Sequence, residues 1–520
     1  MPPAIHLALT QNQPKIDKVP PNPKPTRSHP MPQPTHAKCS ALTLGLVGLF
    51  FLVGCASPPQ SSSLAEVNRS LNGFAPAEIQ WAQTPDDQQK RHNAAERLLQ
   101  TELGQTEAVQ LMLLNSAALQ ALVSQHAADA AAAAQEGRLP NPVLTWESIT
   151  TGTEKELQQT LRFGLLDLLT WPQRKKVSDQ KVVQRRLELS ADIVEKITAV
   201  RVAWVKAVAA EESLQYAQQV QESAQIGAEL AQRMMAVGNI NRLTQSKHQS
   251  FYLHASNQWV MAKQLAASRR EALVQSLGLD RAMAQRLQLP TRLPDIPTSP
   301  LSEKDVASQT LEQRLDVQLA KAALQTAAKS QGLDQITSLT DVEMTLKSGT
   351  VKDSTAQSSQ SRQGVEWGFR LPIFDSGDLK RSAANAQTLA AAQRLQATLD
   401  IAHSQSSESY GAYRAAYDIS RQYKEDILPL QKIMADENLL RYNGMLTSVF
   451  ELLADAREQV AGGTHHHDEN LVMAIGARQF TVFGSARGRG RVQRCAIDLA
   501  AVVDRQRVVP DDPRRYEVYG

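Results

Sequence analysis

Along the middle of the chain, Ile193, Ile197, Val200, Trp204, Ala207 and Leu214 recur at spacings of four and three, with one polar gap at Glu211. This is the a/d seam of a helix that packs lengthwise against another. No proline falls between Pro172 and Pro290, and glycines are few there. Residues 173–237 are therefore predicted as one helix, on the order of 100 Å long at about 1.5 Å per residue. Such a helix cannot bury its seam alone, so partners of similar length are expected. Elsewhere the period switches from helix to strand twice. A helical stretch at 107–136 leads into alternating segments at 143–149 and 159–166. A second, at 311–330, leads into 342–346 and 365–371, where Val365, Trp367, Phe369 and Leu371 share a face. The intervening 150–156 and 347–363 are rich in Gly, Ser and Thr and are read as polar loops.

The same text occurs twice. Residues 233–241 (RMMAVGNIN) resemble 440–447 (LRYNGMLT), each with Gly in a helical pattern followed by Asn or Thr, which suits a helix C-cap and a restart. Aligning Gly238 with Gly444 gives an offset of 206 residues, and aligning Pro172 with Gly377 gives 205. Two anchors at nearly one offset indicate a tandem duplication. Strand, polar loop, strand and very long helix make sense if each hairpin crosses a membrane and its loop meets water outside. The expected strands fall just short of the ~9–11 residues of a span. Two hairpins cannot close a barrel, and an open edge in lipid leaves backbone groups unsatisfied, so several chains must contribute.

Residues 1–34 are proline-heavy, whereas 41–54 form an uncharged apolar run. That run is too short for a spanning helix and suits a signal h-region. It ends Leu52-Val53-Gly54-Cys55, a small residue before a thiol able to take a diacylglycerol. Met31 is read as the start and Cys55 as the lipidated mature N-terminus. Ala56 and Ser57 follow without an inner-membrane-retaining aspartate, and 57–63 (SPPQSSS) reads as a flexible tether. The expectation is a Gram-negative outer-membrane lipoprotein with most of its chain in the periplasm.

Composition narrows the class further. The 520 residues are 42% hydrophobic, 21% charged and 5% aromatic, with mean hydropathy −0.34. These values exclude a polytopic helical membrane protein but not a β-barrel, whose alternating strands barely register in hydropathy. A net charge of +3 gives no argument for nucleic acid, and three cysteines make no disulfide framework. No His/Asp/Ser or Cys constellation marks an enzyme, and no cofactor is indicated.

In order along the chain, the motifs resemble those of the TolC-like outer-membrane efflux channel family, over about residues 106–463. Glu107-Ala108-Val109 with Leu113-Leu114-Asn115 is similar to its opening helix, and Leu139-Pro140-Asn141-Pro142-Val143-Leu144 to its entry into the first strand. Arg314-Leu315-Asp316-Val317 resembles its Arg-Pro-Asp-Leu motif, with Leu315 in place of proline. Leu371-Pro372-Ile373-Phe374-Asp375-Ser376-Gly377 resembles its Leu-Pro-Leu-Phe-Asp-x-Gly turn. Tyr442-Asn443-Gly444 through Phe450-Glu451-Leu452-Leu453 resembles its hairpin tip. The resemblance implies a mainly α fold with a small β part. In it, long helices form a coiled-coil tunnel and two β-hairpins per protomer contribute to a trimeric transmembrane β-barrel. It also implies a homotrimer working with a periplasmic adaptor and an inner-membrane transporter. The cargo class stays open between metal cations, which Trp171-Pro172-Gln173-Arg174-Lys175-Lys176 suggests through its likeness to the heavy-metal-efflux branch, and drugs, dyes or other small molecules.

The same resemblance nominates site residues. Glu451 and Asp455, four apart beyond the second tip, would ring the periplasmic aperture; their first-repeat counterparts at the 206 offset are Gln245 and Gln249. The alternative for the two acids is a solvated helix face. Gly238, Asn239, Gly444 and Met445 mark the tips that would meet an adaptor. His465-His466-His467-Asp468-Glu469 is read as a solvated loop, not a metal site, and Arg487-Gly488-Arg489-Gly490-Arg491 lacks the context of a phosphate loop. The expected organisation is 1–54 extension and signal peptide, 55–105 tether and N-terminal segment, 106–302 first repeat, 303–470 second repeat, and 471–520 an atypical tail. That tail has no lysine and no seam, which suggests a reading-frame slip near 463–470 or a divergent end. The rival reading is a lipid-anchored periplasmic coiled-coil scaffold. Apolar residues alternating on one outward strand face would favour the channel; Thr145 and Glu147 leave that pattern ambiguous in the first hairpin.

Overall fold

The computed structural model describes residues 60–152, 154–295, 297–300, 314–353 and 358–452. Cys55, Asp455, the 465–469 histidine run and the 471–520 tail lie outside them. The first part holds α1 (Gln60–Ser70), α2 (Pro85–Leu98), α3 (Gln105–Asn115), α4 (Ala117–Glu136), β1 (Val143–Thr151), β2 (Glu154–Gly164), α5 (Leu165–Ala236), α6 (Arg242–Leu277) and α7 (Arg281–Arg286). The second holds α8 (Leu315–Thr337), β3 (Val342–Asp353), β4 (Ser358–Phe369), α9 (Asp378–Gln422), a π turn (Tyr423–Ile427) and α10 (Leu428–Asn443). Each repeat thus runs helix, hairpin, long helix and tip. The expected class, mainly α with a small β part and an internal duplication, is the observed one.

The predicted seam is the core. Ile193 and Ile197 are fully buried, and Val200, Trp204 and Ala207 nearly so, while the Trp204 indole N–H donates to the Leu103 carbonyl at 2.7 Å. Around this middle third of α5 gather Val67 of α1, Val109 and Met112 of α3, Leu119 and Val123 of α4, and Leu273 and Leu277 at the end of α6. Burying an aliphatic side chain of this size stabilises by about 1.5–3 kcal/mol. His126 of α4 and Asp192 of α5 add a 2.8 Å contact beside it. Among the described residues of this one chain, the partners of α5 are shorter than α5 itself. The helix has 72 residues, while α6, which packs along its distal part, has 36; α4 and α8 cover the rest.

Three boundaries also differ from expectation. The helix read at 107–136 breaks at Ser116, whose hydroxyl accepts the Leu119 N–H at 3.2 Å and starts α4 as its N-cap. The second opening helix begins at Leu315, not 311. Most of all, α5 begins at Leu165 and carries Pro172 inside it, where a strand end and a turn were expected. Proline costs that helix one hydrogen bond. Two local contacts hold the turn: the Thr170 hydroxyl donates to the Leu166 carbonyl at 2.7 Å, and Arg174 pairs with Asp167.

The second repeat is pinned at its own start. Arg314 and Asp316 form a buried two-pronged pair, Nε to Oδ1 at 3.1 Å and Nη2 to Oδ2 at 2.8 Å. Arg314 Nη2 also donates to Gln405 of α9 at 3.0 Å. Far down the same arm, the π turn precedes Pro429, whose missing N–H the altered winding accommodates.

Candidate channel wall and hairpin tips

The four strands form one antiparallel meander in the order β1-β2-β3-β4, so the hairpins of the two repeats are joined through β2 and β3. The strands have 9, 11, 12 and 12 residues. The polar stretches read as loops, 150–156 and 347–363, are largely strand instead: Thr151 pairs with Glu154, and Asp353 with Ser358. Their hydroxyl and charged side chains carry no apolar alternation, but threonine favours the extended backbone and pairing with the neighbouring strand holds them in the sheet. At this length each strand reaches a membrane span.

Register sorts the side chains, because directly paired residues share a face. One row runs Leu144, Leu161, Leu346, Val365; the next toward the helices runs Phe163, Met344, Trp367, and then come Val342 and Phe369. Trp146 lies on this face too. The opposite face carries Glu147, Arg162, Lys347, Arg362 and Glu366, with Lys347 and Glu366 ion-paired across β3 and β4. Thr145 and Glu147 thus fall on the polar face, but so do the exposed Val143 and Ile149, so the first hairpin is sorted less cleanly than the second. The apolar face is bare: Trp146 is 68% exposed, Phe369 61% and Val365 57%. Both outer edges, β1 and β4, lack a strand partner among the described residues.

At the other end of α5, some 108 Å away by helical rise, lie the tips. Gly238 has φ +78°; its N–H donates to Met235 and that of Asn239 to Met234, at 3.0 and 2.9 Å. In the second tip Met445 takes the left-handed conformation, with φ +57°. Its N–H donates to Tyr442 and that of Leu446 to Arg441, at 3.0 and 2.8 Å. The structural counterpart of Gly238 is therefore Met445, not Gly444, whose φ is −79°. The offset becomes 207, and Glu451 corresponds to Thr244 in place of Gln245. The caps agree: Asn241 accepts the Thr244 N–H at 2.9 Å, as Ser448 accepts that of Glu451 at 3.2 Å.

Gly238, Asn239, Gly444 and Met445 are all exposed. So are the apolar Val237, Leu243, Met445 and Leu446, at 64–94%. Glu451 sits in the first turn after the second tip, its carboxylate accepting from the Thr447 hydroxyl, where a negative charge also suits the helix dipole. Its predicted companion Asp455 lies outside the described residues. No group of three or more metal-ligating side chains occurs among the described residues, and none of their helices is long and apolar enough to cross a membrane. Sequence reading missed Lys347–Glu366 and the apolar side of the first hairpin; the parity of Leu144 and Trp146 against Thr145 and Glu147 was the available signal.

No family model and no curated protein matches the chain. Solved structures do match. The Campylobacter jejuni CmeC outer membrane channel aligns with TM-score 0.58 and 15% identity, over 83% of this chain and 95% of its own. The outer-membrane channel OprN gives 0.59 and 15%, over 79% and 96%. The open state of the Neisseria gonorrhoeae MtrE outer membrane channel gives 0.53 and 17%, over 75% and 89%. With its duplicated hairpins, two-faced sheet and long paired helices, this chain has the TolC-like fold of outer-membrane efflux channels.

Proposed function

We propose that the protein is the outer-membrane channel component of a tripartite efflux system. Three copies close one 12-stranded barrel, and their helices continue it as a periplasmic tunnel. The observation that carries this reading is the sheet: apolar on one face, charged on the other, and open at both edges. Side chains such as Trp146 and Phe369 on a bare face suit lipid, and the face that carries Glu147 and Lys347 suits a water-filled lumen. Open edges in lipid require neighbouring copies. The exposed apolar tips around Gly238–Asn239 and Gly444–Met445 receive a periplasmic adaptor that links the channel to an inner-membrane transporter. Glu451, with Asp455, lines the periplasmic aperture. Cys55 carries the lipid anchor, and the cargo is a small molecule or a metal cation.

The test is the mass of the protein extracted from outer membranes in mild detergent, paired with ion conductance in planar bilayers. A trimer that conducts supports the channel. A non-conducting monomer overturns it and leaves the scaffold reading.

A further inference from the structure

The apolar face of the sheet ends in a basic row. At the hairpin ends remote from the helices, Lys155 of β2 stands directly opposite Lys352 of β3, and the row continues into Thr150 and Ser359. Register puts all four on the face of Leu144, Trp146 and Trp367. Like charges directly opposite across a strand pair destabilise it. The sheet handles its other cross-strand lysine differently: Lys347, on the polar face, pairs with Glu366. Neither Lys155 nor Lys352 has an ion-pair partner among the described residues, and both are exposed. The nearest acids in sequence, Glu154, Glu156 and Asp353, project to the opposite face. Two ammonium groups flanked by two hydroxyls form a line of donors with no carboxylate of the four described strands on their face; on the spanning reading they stand at the height of a membrane's outer headgroups.

We infer that Lys155 and Lys352 bind a phosphate-bearing lipid headgroup of the outer leaflet, which supplies the missing anion; this rests on the membrane-spanning reading above. A phosphomonoester accepts from both ammonium groups through charge-assisted hydrogen bonds and cancels their repulsion. Long lysine stems reach the headgroup layer while their methylenes stay along the apolar face.

The full-length protein is reconstituted in phosphatidylcholine vesicles with and without lipid A, and the unfolding midpoint of the assembly is measured. The wild type is expected to gain stability from lipid A in a salt-sensitive way, while free inorganic phosphate gives no comparable gain. Lys155→Ser/Lys352→Ser loses the gain, and Lys155→Arg/Lys352→Arg keeps it. Lys155→Glu, which gives Lys352 an internal partner, raises the midpoint in phosphatidylcholine alone and removes the lipid A effect. Equal gains in wild type and the Ser double variant overturn the lysine site, as does an inserted wild type that ignores lipid A or answers equally to free phosphate. A protein that fails to insert into either vesicle overturns the spanning reading and this inference with it.

Discussion

The His248 and Phe450 rings lie 4.2 Å apart, centroid to centroid, and tilted by 32°. His248 belongs to the second turn of α6, and Phe450 to the helix that restarts after the second tip. The two tips are therefore held to each other by a contact between repeats, beside Glu451. Phe450→Ala is expected to loosen this union, with a coupling to His248→Ala of about 0.5–1.5 kcal/mol in a double-mutant cycle. Additive single effects would show that the rings do not cooperate.

Arg314 and Asp316 are the most buried ion pair among the described residues, with side chains 3% and 10% exposed. Asp316→Ala leaves the guanidinium without its bidentate partner and should cost about 3–5 kcal/mol. Replacing both, as Arg314→Met with Asp316→Leu, should cost far less. Thermal midpoints of the two variants decide whether the charge or the packing matters.

At Gly377 the backbone is left-handed, φ +72°, and an added Cβ would stand 2.5 Å from the Ser338 carbonyl oxygen. Gly238 is equally left-handed, φ +78°, but open space surrounds it. Gly238→Ala should cost about 1–2 kcal/mol of backbone strain, and Gly377→Ala clearly more, because α8 must move from α9. Equal losses at the two sites would argue that the close approach is not maintained.

A hydrogen bond from Ser376 holds the Asp378 carboxyl below the ordinary carboxylate range, helped by the first N–H groups of α9. A lowered folded value means that the contribution is complete above about pH 4 and fades as pH falls through the depressed value. Asp378→Asn should flatten that acid limb. Hydrogen exchange at the start of α9, followed downward in pH, reads it directly.

Cysteine substitutions test the two faces. With Cys39 and Cys495 changed to Ser, Glu147→Cys should react with a water-soluble thiol reagent in reconstituted vesicles and lower conductance. Trp146→Cys, one residue away, should resist that reagent and accept a lipid-soluble one. Equal aqueous reactivity would mean that the face of Trp146 does not meet lipid.

The seam from Ile193 to Ala207 was legible because one periodic signal, the core face of a single helix, dominated it. The row Val365, Trp367, Phe369 was legible for the same reason. The outer halves of β3 and β4 were not, since Ser348, Thr350 and Ser361 on one face and Lys347, Gly349 and Arg362 on the other are all small or polar. With both faces polar, period two disappears and only cross-strand bonding marks the strand. The tip register was lost because glycine is the usual left-handed residue, yet here α10 and its cap place Met445 at that position. Asp455 and Cys55, both nominated from sequence, fall where the structure describes nothing.

The central seam of the sheet joins residues that the chain separates widely: Glu154 meets Asp353, roughly 200 residues on, a contact of very high order. When the first hairpin has been synthesised, its β2 edge has no partner and cannot enter lipid satisfied. On the proposed spanning reading, insertion therefore waits for the second hairpin and then for the neighbouring copies that cover β1 and β4, and the first half of the protein has to be kept from aggregating until then. Duplication built this sheet, but it also made the halves interdependent in time: neither repeat is a finished part without the other.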